Sequence, residues 1–247
     1  MKSISLILML LLAGAAWGRT AKATLPWGKP APNTPATVTI TADDEPVARV
    51  ALGYDRDALY LRYQVEDDSP LKNRGDNERM LFKTGDSVDL QLGLDSAADP
   101  TRDKPVPGDV RLLLTRTAKG PIAVCYRYVV PGTKEPVLFA SPTGRVTVDR
   151  VEVLAKVTIT VRKRKTGYTL TAVVPWAALA GAPYTPKPGT VLRGDVGVLL
   201  GDPDGGATVE RLYWANRHTA IVADVPSEIV LPVTEWGSFT LGEEKKP

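Results

Sequence analysis

Apolar and polar residues alternate with a period of two over most of this chain. The clearest runs place an apolar or aromatic residue at every second position, with polar residues between. They cover residues 37–41, 59–66, 87–92, 110–115 and 157–162. Successive side chains of a β-strand point to opposite faces of its sheet, so each run predicts a strand with one packed face and one polar face.

Short segments rich in Gly, Asp, Pro and Lys separate the alternating runs. Residues 53–57, 163–167 and 202–206 are of this kind, and each predicts a turn between two strands. One stretch breaks the alternation, because Pro175 followed by Trp and Ala suits a single helical turn near residues 175–180. Many short strands joined by such turns predict an all-β fold. We expect an antiparallel β-sandwich of jelly-roll or immunoglobulin-like type, with at most that one helical turn.

The two ends of the chain lack this alternation. Residues 4–12 form a short apolar run after Lys2, and small residues follow it, a pattern typical of a cleaved signal peptide. We therefore expect export to the periplasm or the extracellular space, with no membrane association once the leader is removed. The predicted segments are a signal peptide at 1–18, a Pro-rich lead-in at 19–35, the sandwich at 36–241 and a charged tail at 242–247.

Composition narrows the function. The 31 Lys and Arg residues nearly balance the 28 Asp and Glu residues, so the chain lacks the basic stripe typical of nucleic-acid binding. Its single cysteine, Cys125, cannot form a disulfide within the chain. The one histidine, His218, cannot build a multi-histidine metal site, and no Gly-x-Ser-x-Gly motif marks a nucleophile. We therefore expect no enzymatic activity. The alternative is a glycosidase, which needs only two carboxylates. We also expect a monomer.

Several polar residues fall on the polar phase of their strands and could share one sheet face. They are Arg62, Gln64, Ser87, Asp89, Gln91 and Arg111. Carboxylate and guanidinium groups make charge-assisted hydrogen bonds to sugar hydroxyls, and an aromatic ring can cover the apolar face of a sugar. If these strands are neighbours, the pattern indicates a sugar-binding face. The alternative is a solvated face whose charges pair with each other.

Several motifs, taken in order along the chain, resemble those of family 9 carbohydrate-binding modules. Leu-Tyr-Leu-Arg-Tyr at 59–63 leads into Val65, Gly-Asp-Ser-Val-Asp stands at 85–89, and the segment 168–176 ends in Val-Pro-Trp. Lys-Pro-Gly at 187–189 precedes Gly-Asp-Val-Gly-Val at 194–198, and Trp-Gly-Ser-Phe-Thr-Leu closes the match at 236–241. Residues 36–241 therefore resemble this family and the wider group of DOMON-related β-sandwiches.

The resemblance implies a non-catalytic module that grips sugar units of a polysaccharide. Asp89 matches an acidic sugar ligand of the family, and Arg111 matches an arginine ligand. Trp214 matches one of two tryptophans that sandwich a sugar, whereas Phe82 stands where the other tryptophan is found and offers a smaller ring. The candidate ligand-binding residues are Asp89, Arg111, Phe82, Trp214, Arg62 and Gln91.

A structural calcium ion is common in the family that the chain resembles, although we expect no cofactor to be required. The acidic turn that contains Asp202 and Asp204 is the candidate metal site, because hard oxygen ligands on loops suit calcium. Asp is also an ordinary turn residue, so the same two side chains could serve the turn alone.

Two other functions fit the same pattern. Some DOMON-type domains hold haem between a Met and a His and transfer electrons, and Met80 with His218 is the only such pair outside the leader. The other is a structural or protein-interaction sandwich with no sugar ligand.

Overall fold

Two β-sheets packed face to face form the body of the protein, which confirms the predicted fold class. The computed structural model describes residues 21–217, 225–229 and 233–244. In chain order the elements are β1 (Lys22–Leu25), β2 (Val38–Ala42), β3 (Glu45–Tyr54), β4 (Ala58–Val65), β5 (Ser87–Gly93), β6 (Asp109–Thr117), β7 (Gly120–Arg127), β8 (Val137–Ser141), β9 (Gly144–Val148), β10 (Arg150–Val153), β11 (Thr158–Lys163), β12 (Tyr168–Pro175), α1 (Trp176–Ala180), β13 (Val191–Gly201), β14 (Thr208–Tyr213), α2 (Val225–Ile229) and β15 (Gly237–Leu241). Two single 3-10 turns, Glu78–Met80 and Val233–Glu235, complete them.

The larger sheet, called sheet A, has the order β1-β15-β13-β5-β6-β7-β10, and β14 pairs with the remaining length of β13. The smaller sheet, sheet B, has the order β11-β12-β4-β3-β2. All pairs within the two sheets are antiparallel except β1 with β15, which run parallel. The hairpin β8–β9 forms a separate two-stranded sheet.

The predicted alternation explains the core between the sheets. On β5, Val88 and Leu90 face sheet B, and on β12, Leu170 and Val174 face sheet A. Residues of the opposite phase on β12, such as Thr171, are only half-buried, because the outer face of sheet B meets solvent. Burial of the apolar phase is the main favourable term in the packing of the two sheets.

The outer face of sheet A is covered by a third layer, which the alternation did not predict. Every residue of β5 is buried, including its polar phase. The covering layer consists of residues 78–82, the β8–β9 hairpin, α2 and residues 233–236. The buried apolar residues between this layer and sheet A, contributed by both, are Leu81, Phe82, Leu113, Val124, Tyr126, Tyr128, Phe139, Val148, Leu199, Tyr213, Ile229, Val233 and Trp236.

The predicted lead-in belongs in part to the sandwich. Lys22–Leu25 forms β1 and pairs along β15, so the boundary predicted at residue 36 lies too late. The Pro-rich residues that follow cross sheet B, where the Tyr54 amide donates to the Pro26 carbonyl. Alternation could not reveal this strand, because four residues are too few to establish a period.

The helices are short. α1 lies where the helical turn was predicted, and it ends at Gly181, whose φ of 74° is the left-handed conformation that closes many helices. α2 is an additional five-residue helix that no sequence signal indicated. Within the described ranges, no helix has the length and apolar character needed to cross a membrane.

Candidate functional site

Asp89 and Arg111 form an ion pair on the outer face of sheet A. They lie on the adjacent strands β5 and β6, where Asp89 stands opposite Leu113 and Arg111 stands opposite Gln91. The Nε and Nη2 atoms of Arg111 lie 2.9 and 2.8 Å from Oδ2 of Asp89. Both side chains are 0% exposed, so the pair lies beneath the third layer rather than at the surface.

Tyr213 extends this pair from the other side. Tyr213, Gly197 and Asp89 stand opposite one another across β14, β13 and β5. The tyrosine ring lies over Gly197, where a Cβ atom would come within 2.5 Å of ring carbons. Its hydroxyl donates to Oδ2 of Asp89. We call Asp89, Arg111 and Tyr213 together the polar centre.

Aromatic rings flank the guanidinium group of the polar centre. The Cζ atom of Arg111 lies 5.3 Å from the centroid of Phe82 and 5.8 Å from that of Tyr126. The two rings meet edge to face with their centroids 6.1 Å apart. A guanidinium held against ring faces gains a cation–π attraction, which is stronger when the site is dry.

α2 closes the polar centre from outside. Nη1 of Arg111 donates to the carbonyl oxygen of Glu228 at 2.8 Å and, more weakly, to that of Ile229 at 3.4 Å. These carbonyls belong to the last turn of the helix, which lacks partners within the helix. The buried Glu228 carboxylate accepts from Nζ of Lys83 at 3.0 Å and lies 3.9 Å from Nη1 of Arg211. α2 is thus held by charged groups as well as by apolar packing.

Burial and neighbouring charges shift the pKa values around the polar centre. Burial opposes the charge on Arg111, but the Asp89 carboxylate outweighs it and raises the pKa of Arg111. Burial, followed by the charge on Asp89, raises the pKa of Tyr213. Asp195 lies on β13 opposite Gln91. Burial raises its pKa to about 7, even though three backbone N–H groups donate to its carboxylate.

Buried polar atoms without a hydrogen-bond partner gather on this face of sheet A. Within the described part of the chain they include Asp89 Oδ1, Gln91 Nε2, Ser87 Oγ, Arg211 Nε, Glu228 Oε2 and Trp236 Nε1. Each such atom costs about 1–3 kcal/mol relative to a satisfied one. The outer face of sheet A therefore carries more hydrogen-bonding capacity than its own neighbours use.

The structure brings together only part of the predicted ligand set. Gln91 lies beside Arg111 and accepts from the Tyr128 hydroxyl at 3.3 Å. Phe82 lies against Arg111 but is fully buried, so no open stacking ring is present there. The prediction that these residues form an exposed surface is therefore wrong. The cover comes from residues 78–82, just before β5, and from segments distant in sequence, and alternation reports neither.

Two predicted residues lie elsewhere. Arg62 is on β4 of sheet B, where its guanidinium donates to the carbonyls of Ala31 and Thr34. Trp214 follows Tyr213 and therefore points to the other face of sheet A, where it stacks on Phe239 with centroids 5.2 Å apart. The predicted face shared by Arg62 and Asp89 is wrong because their strands belong to different sheets.

The metal and haem candidates have simpler surroundings. Oδ1 of Asp202 accepts from the Gly206 amide at 2.7 Å, which closes the turn, and Asp204 is exposed. Among the described residues, no three His, Cys, Asp or Glu side chains come together as a metal site. Calcium at Asp202 and Asp204 stays a prediction. Met80 ends the first 3-10 turn and packs on the third layer, and His218 lies outside the described residues.

Sequence reasoning missed several members of the site. Tyr213 and Arg211 share the outer phase of β14, so their alternation with Leu212 could have indicated them. Lys83 follows the covering segment 78–82, and Glu228 lies on the five-residue helix α2, and strand alternation signals neither. Their pairing depends on contacts between segments separated by 145 residues.

No protein-family model matches the sequence, and no curated protein is significantly similar to it. Solved structures do share its fold. A family 9 carbohydrate-binding module from Caldicellulosiruptor kristjanssonii in complex with glucose superposes with a TM-score of 0.55 at 13% identity, covering 92% of this chain and 99% of that one. A structure described as a family 9 module from the same organism in complex with cellotriose gives 0.53 at 12%, covering 91% and 95%. The chain therefore has the fold of family 9 carbohydrate-binding modules, which confirms the resemblance at the level of fold.

Proposed function

We propose that this protein is a non-catalytic carbohydrate-binding module whose polar centre holds a sugar unit on the outer face of sheet A. The observation that carries the proposal is the buried set of carboxylate, guanidinium and hydroxyl groups there, with hydrogen-bonding atoms left unused around it. A sandwich does not need such a set for stability, because a buried ion pair can often be replaced by apolar residues without loss. Sugar hydroxyls would use the spare donors and acceptors.

Access to the polar centre requires α2 to move aside. Nη1 of Arg111 now donates to the carbonyls of Glu228 and Ile229, and sugar hydroxyl oxygens would replace these acceptors. Because one set of hydrogen bonds is exchanged for another, the net gain is small. We therefore expect affinities in the range of about micromolar to millimolar. The rings of Phe82 and Tyr126, uncovered by the same movement, would supply an apolar surface for the sugar.

The shared fold supports this choice of ligand class. Two solved structures of this fold contain glucose and cellotriose. The resemblance of the motif at 85–89 to the family's acidic ligand strand points to Asp89 independently of the global fold. Gluco-oligosaccharides are therefore the first ligands to test. We further propose that the protein acts outside the cytoplasm, on the apolar run at residues 4–12.

A glycan array followed by titration calorimetry tests the function. The informative variant is Tyr213→Phe, which removes one hydrogen bond to Asp89 and keeps the ring. The matched control is Tyr60→Phe, because the Tyr60 hydroxyl also donates to a carboxylate, that of Asp55, but on sheet B. We expect Tyr213→Phe to weaken sugar binding about tenfold and Tyr60→Phe to leave it unchanged. A folded wild-type protein that binds no sugar would overturn the proposal.

One observation favours a second candidate, a structural or protein-interaction sandwich. Asp89 and Arg111 are fully buried, as expected of a pair that only organises the third layer on sheet A. In that case Tyr213→Phe would change the unfolding free energy, and no saccharide would raise the melting temperature. A saccharide that stabilises the wild type favours the binding module instead.

A further inference from the structure

A second polar surface lies at the edge of the sandwich, away from the polar centre. Two cavities of about 310 and 280 Å³ adjoin there, because both are lined by Leu71, Lys72 and Arg116. The first is also lined by Lys163 and Tyr168, and the second by Arg74. The two cavities form one depression, which we call the basic groove. Each is close to the smallest volume typical of ligand sites, about 300 Å³.

The charged side chains that line the basic groove are all cationic. They are Lys72, Arg74, Arg116 and Lys163, and no acidic residue of the described chain lines either cavity. A neighbouring cavity, which shares Arg74 with the groove, is lined by Asp76 and Glu78 as well. Within the described residues none of the four forms an ion pair, and only Lys72 makes a side-chain hydrogen bond, a long one of 3.4 Å to the Pro203 carbonyl. Like charges gathered around a cavity repel one another, and a bound anion would relieve that repulsion.

Two acidic residues near the groove, Asp86 and Asp67, accept hydrogen bonds from backbone amides. The buried carboxylate of Asp86 accepts from the amides of Lys72 and Gly201, at 2.9 and 2.6 Å. Asp67 accepts from the Ser69 amide at 3.2 Å. Neither carboxylate lines the cavities, although burial, followed by the charges on Asp86 and Asp67, raises the pKa of Tyr168 at the groove wall.

The interior of the groove combines apolar surface with one unused hydroxyl. Pro70, Leu71 and Val161 line it with hydrocarbon. Tyr168 lines it as well, is 0% exposed, and has a hydroxyl with no hydrogen-bond partner among the described residues. A free inorganic anion needs only charge, whereas a sugar ring also uses apolar surface and a buried hydroxyl.

We propose that the basic groove binds the carboxylate-bearing units of an acidic polysaccharide, a second saccharide site that rests on the proposed carbohydrate-binding function. Lys72, Arg116 and Lys163 hold the carboxylates, and the Tyr168 hydroxyl bonds a ring oxygen or hydroxyl. The separate polar centre receives neutral sugar, so the chain binds a polymer through two chemically different contacts.

Titration calorimetry with tetragalacturonate, cellotetraose and inorganic sulfate tests the proposal. The variant Arg116→Gln/Lys163→Gln removes two exposed cations from the groove. The matched control Arg162→Gln/Lys165→Gln removes two exposed cations that do not line it. We expect the wild type to bind tetragalacturonate, with affinity falling as salt rises. The groove variant should lose at least about tenfold in affinity, and the control less than about twofold.

The outcomes separate this proposal from the function of the polar centre. Tyr213→Phe should weaken cellotetraose binding and leave tetragalacturonate binding unchanged, because it lies outside the groove. If the wild type does not bind tetragalacturonate, or if the groove variant and its control lose the same affinity for it, the proposed groove site is wrong. This conclusion holds whether or not cellotetraose binds. Sulfate binding as tight as that of tetragalacturonate would reduce the groove to a simple anion site and contradict a saccharide.

Discussion

Tyr213 reaches the Asp89 carboxylate only because Gly197 lies between them on β13. The three residues stand in line across adjacent strands, and the tyrosine ring occupies the space that a side chain at position 197 would fill. This relationship ties the strand at one edge of sheet A to the ion pair at its centre.

Gly197→Ala should therefore destabilise the protein. The new methyl group would meet the Tyr213 ring at 2.5 Å, so the ring or the strand must shift. We expect the free energy of unfolding to fall by about 1–3 kcal/mol, as in other overpacked cores. Urea denaturation measures it. The matched control is Gly144→Ala on β9, where the nearest atom lies 3.9 Å away, and a comparable loss there would contradict the account.

The ion pair makes a prediction of its own. Arg111→Met leaves the Asp89 carboxylate buried, with the Tyr213 hydroxyl as its one remaining side-chain donor among the described residues. We expect Arg111→Met to lower the free energy of unfolding by about 3–5 kcal/mol. The double variant Asp89→Leu/Arg111→Met should lower it by less than Arg111→Met does. When both charged side chains are removed, no unpaired charge remains buried in the protein. A double variant less stable than Arg111→Met alone would count against this account of the pair.

α2 should compete with the sugar for Arg111. Glu228→Gln weakens the contact with Lys83, so it should favour displacement of α2. If α2 must leave the polar centre before a sugar can bind, the variant increases the fraction of molecules that are competent to bind. The apparent affinity for cellotriose should then rise several-fold. Glu235→Gln, at an exposed position in the following 3-10 turn, is the control and should have no effect. An unchanged or weaker affinity in Glu228→Gln would contradict competition.

The pH dependence of stability should reveal Asp195. Its pKa is raised to about 7 in the folded protein from 3.8, first by burial. The native carboxyl therefore keeps a proton that the unfolded chain releases, so its contribution to stability falls as the pH rises from about 4 to about 7. Asp195→Asn cannot ionise, and its stability relative to wild type should rise across that window. A stability difference between Asp195→Asn and wild type that stays constant across that window would contradict this account.

Calcium can be tested by its removal. A structural ion at Asp202 and Asp204 predicts a lower melting temperature after chelation, restored by added calcium. Asp202→Asn/Asp204→Asn keeps an oxygen that can accept from the Gly206 amide but reduces the charge, so it should lose the calcium response. An unchanged melting temperature with chelator would rule out a stabilising ion at this turn.

The fold could be predicted from the sequence because alternation reports which phase of a strand is apolar. On β5 it correctly assigned Val88, Leu90 and Leu92 to the core. It could not report that the polar phase, including Asp89 and Gln91, is buried as well. The cover comes from the irregular residues 78–82 and from segments far away in sequence, and the pattern of one strand carries no information about either.

Sequence reasoning predicted the ion pair of the candidate site but not the residues around it. Asp89 and Arg111 were selected by the resemblance and by the polar phase of their strands, and they meet because those strands are adjacent in the sheet. Trp214 was chosen by resemblance, although its phase with Leu212 indicated the inner face, and the aromatic residue on the outer face is its neighbour Tyr213. Arg62 could not be excluded, because a phase does not specify in which of two sheets a strand lies.

A crystal structure with bound cello-oligosaccharide is the most direct test of the polar centre as a sugar site. We predict sugar oxygens within about 3.2 Å of the Asp89 carboxylate and the Arg111 guanidinium, in place of the carbonyls of Glu228 and Ile229. A sugar bound elsewhere on the sandwich, with the bonds from Arg111 to α2 intact, would contradict the assignment.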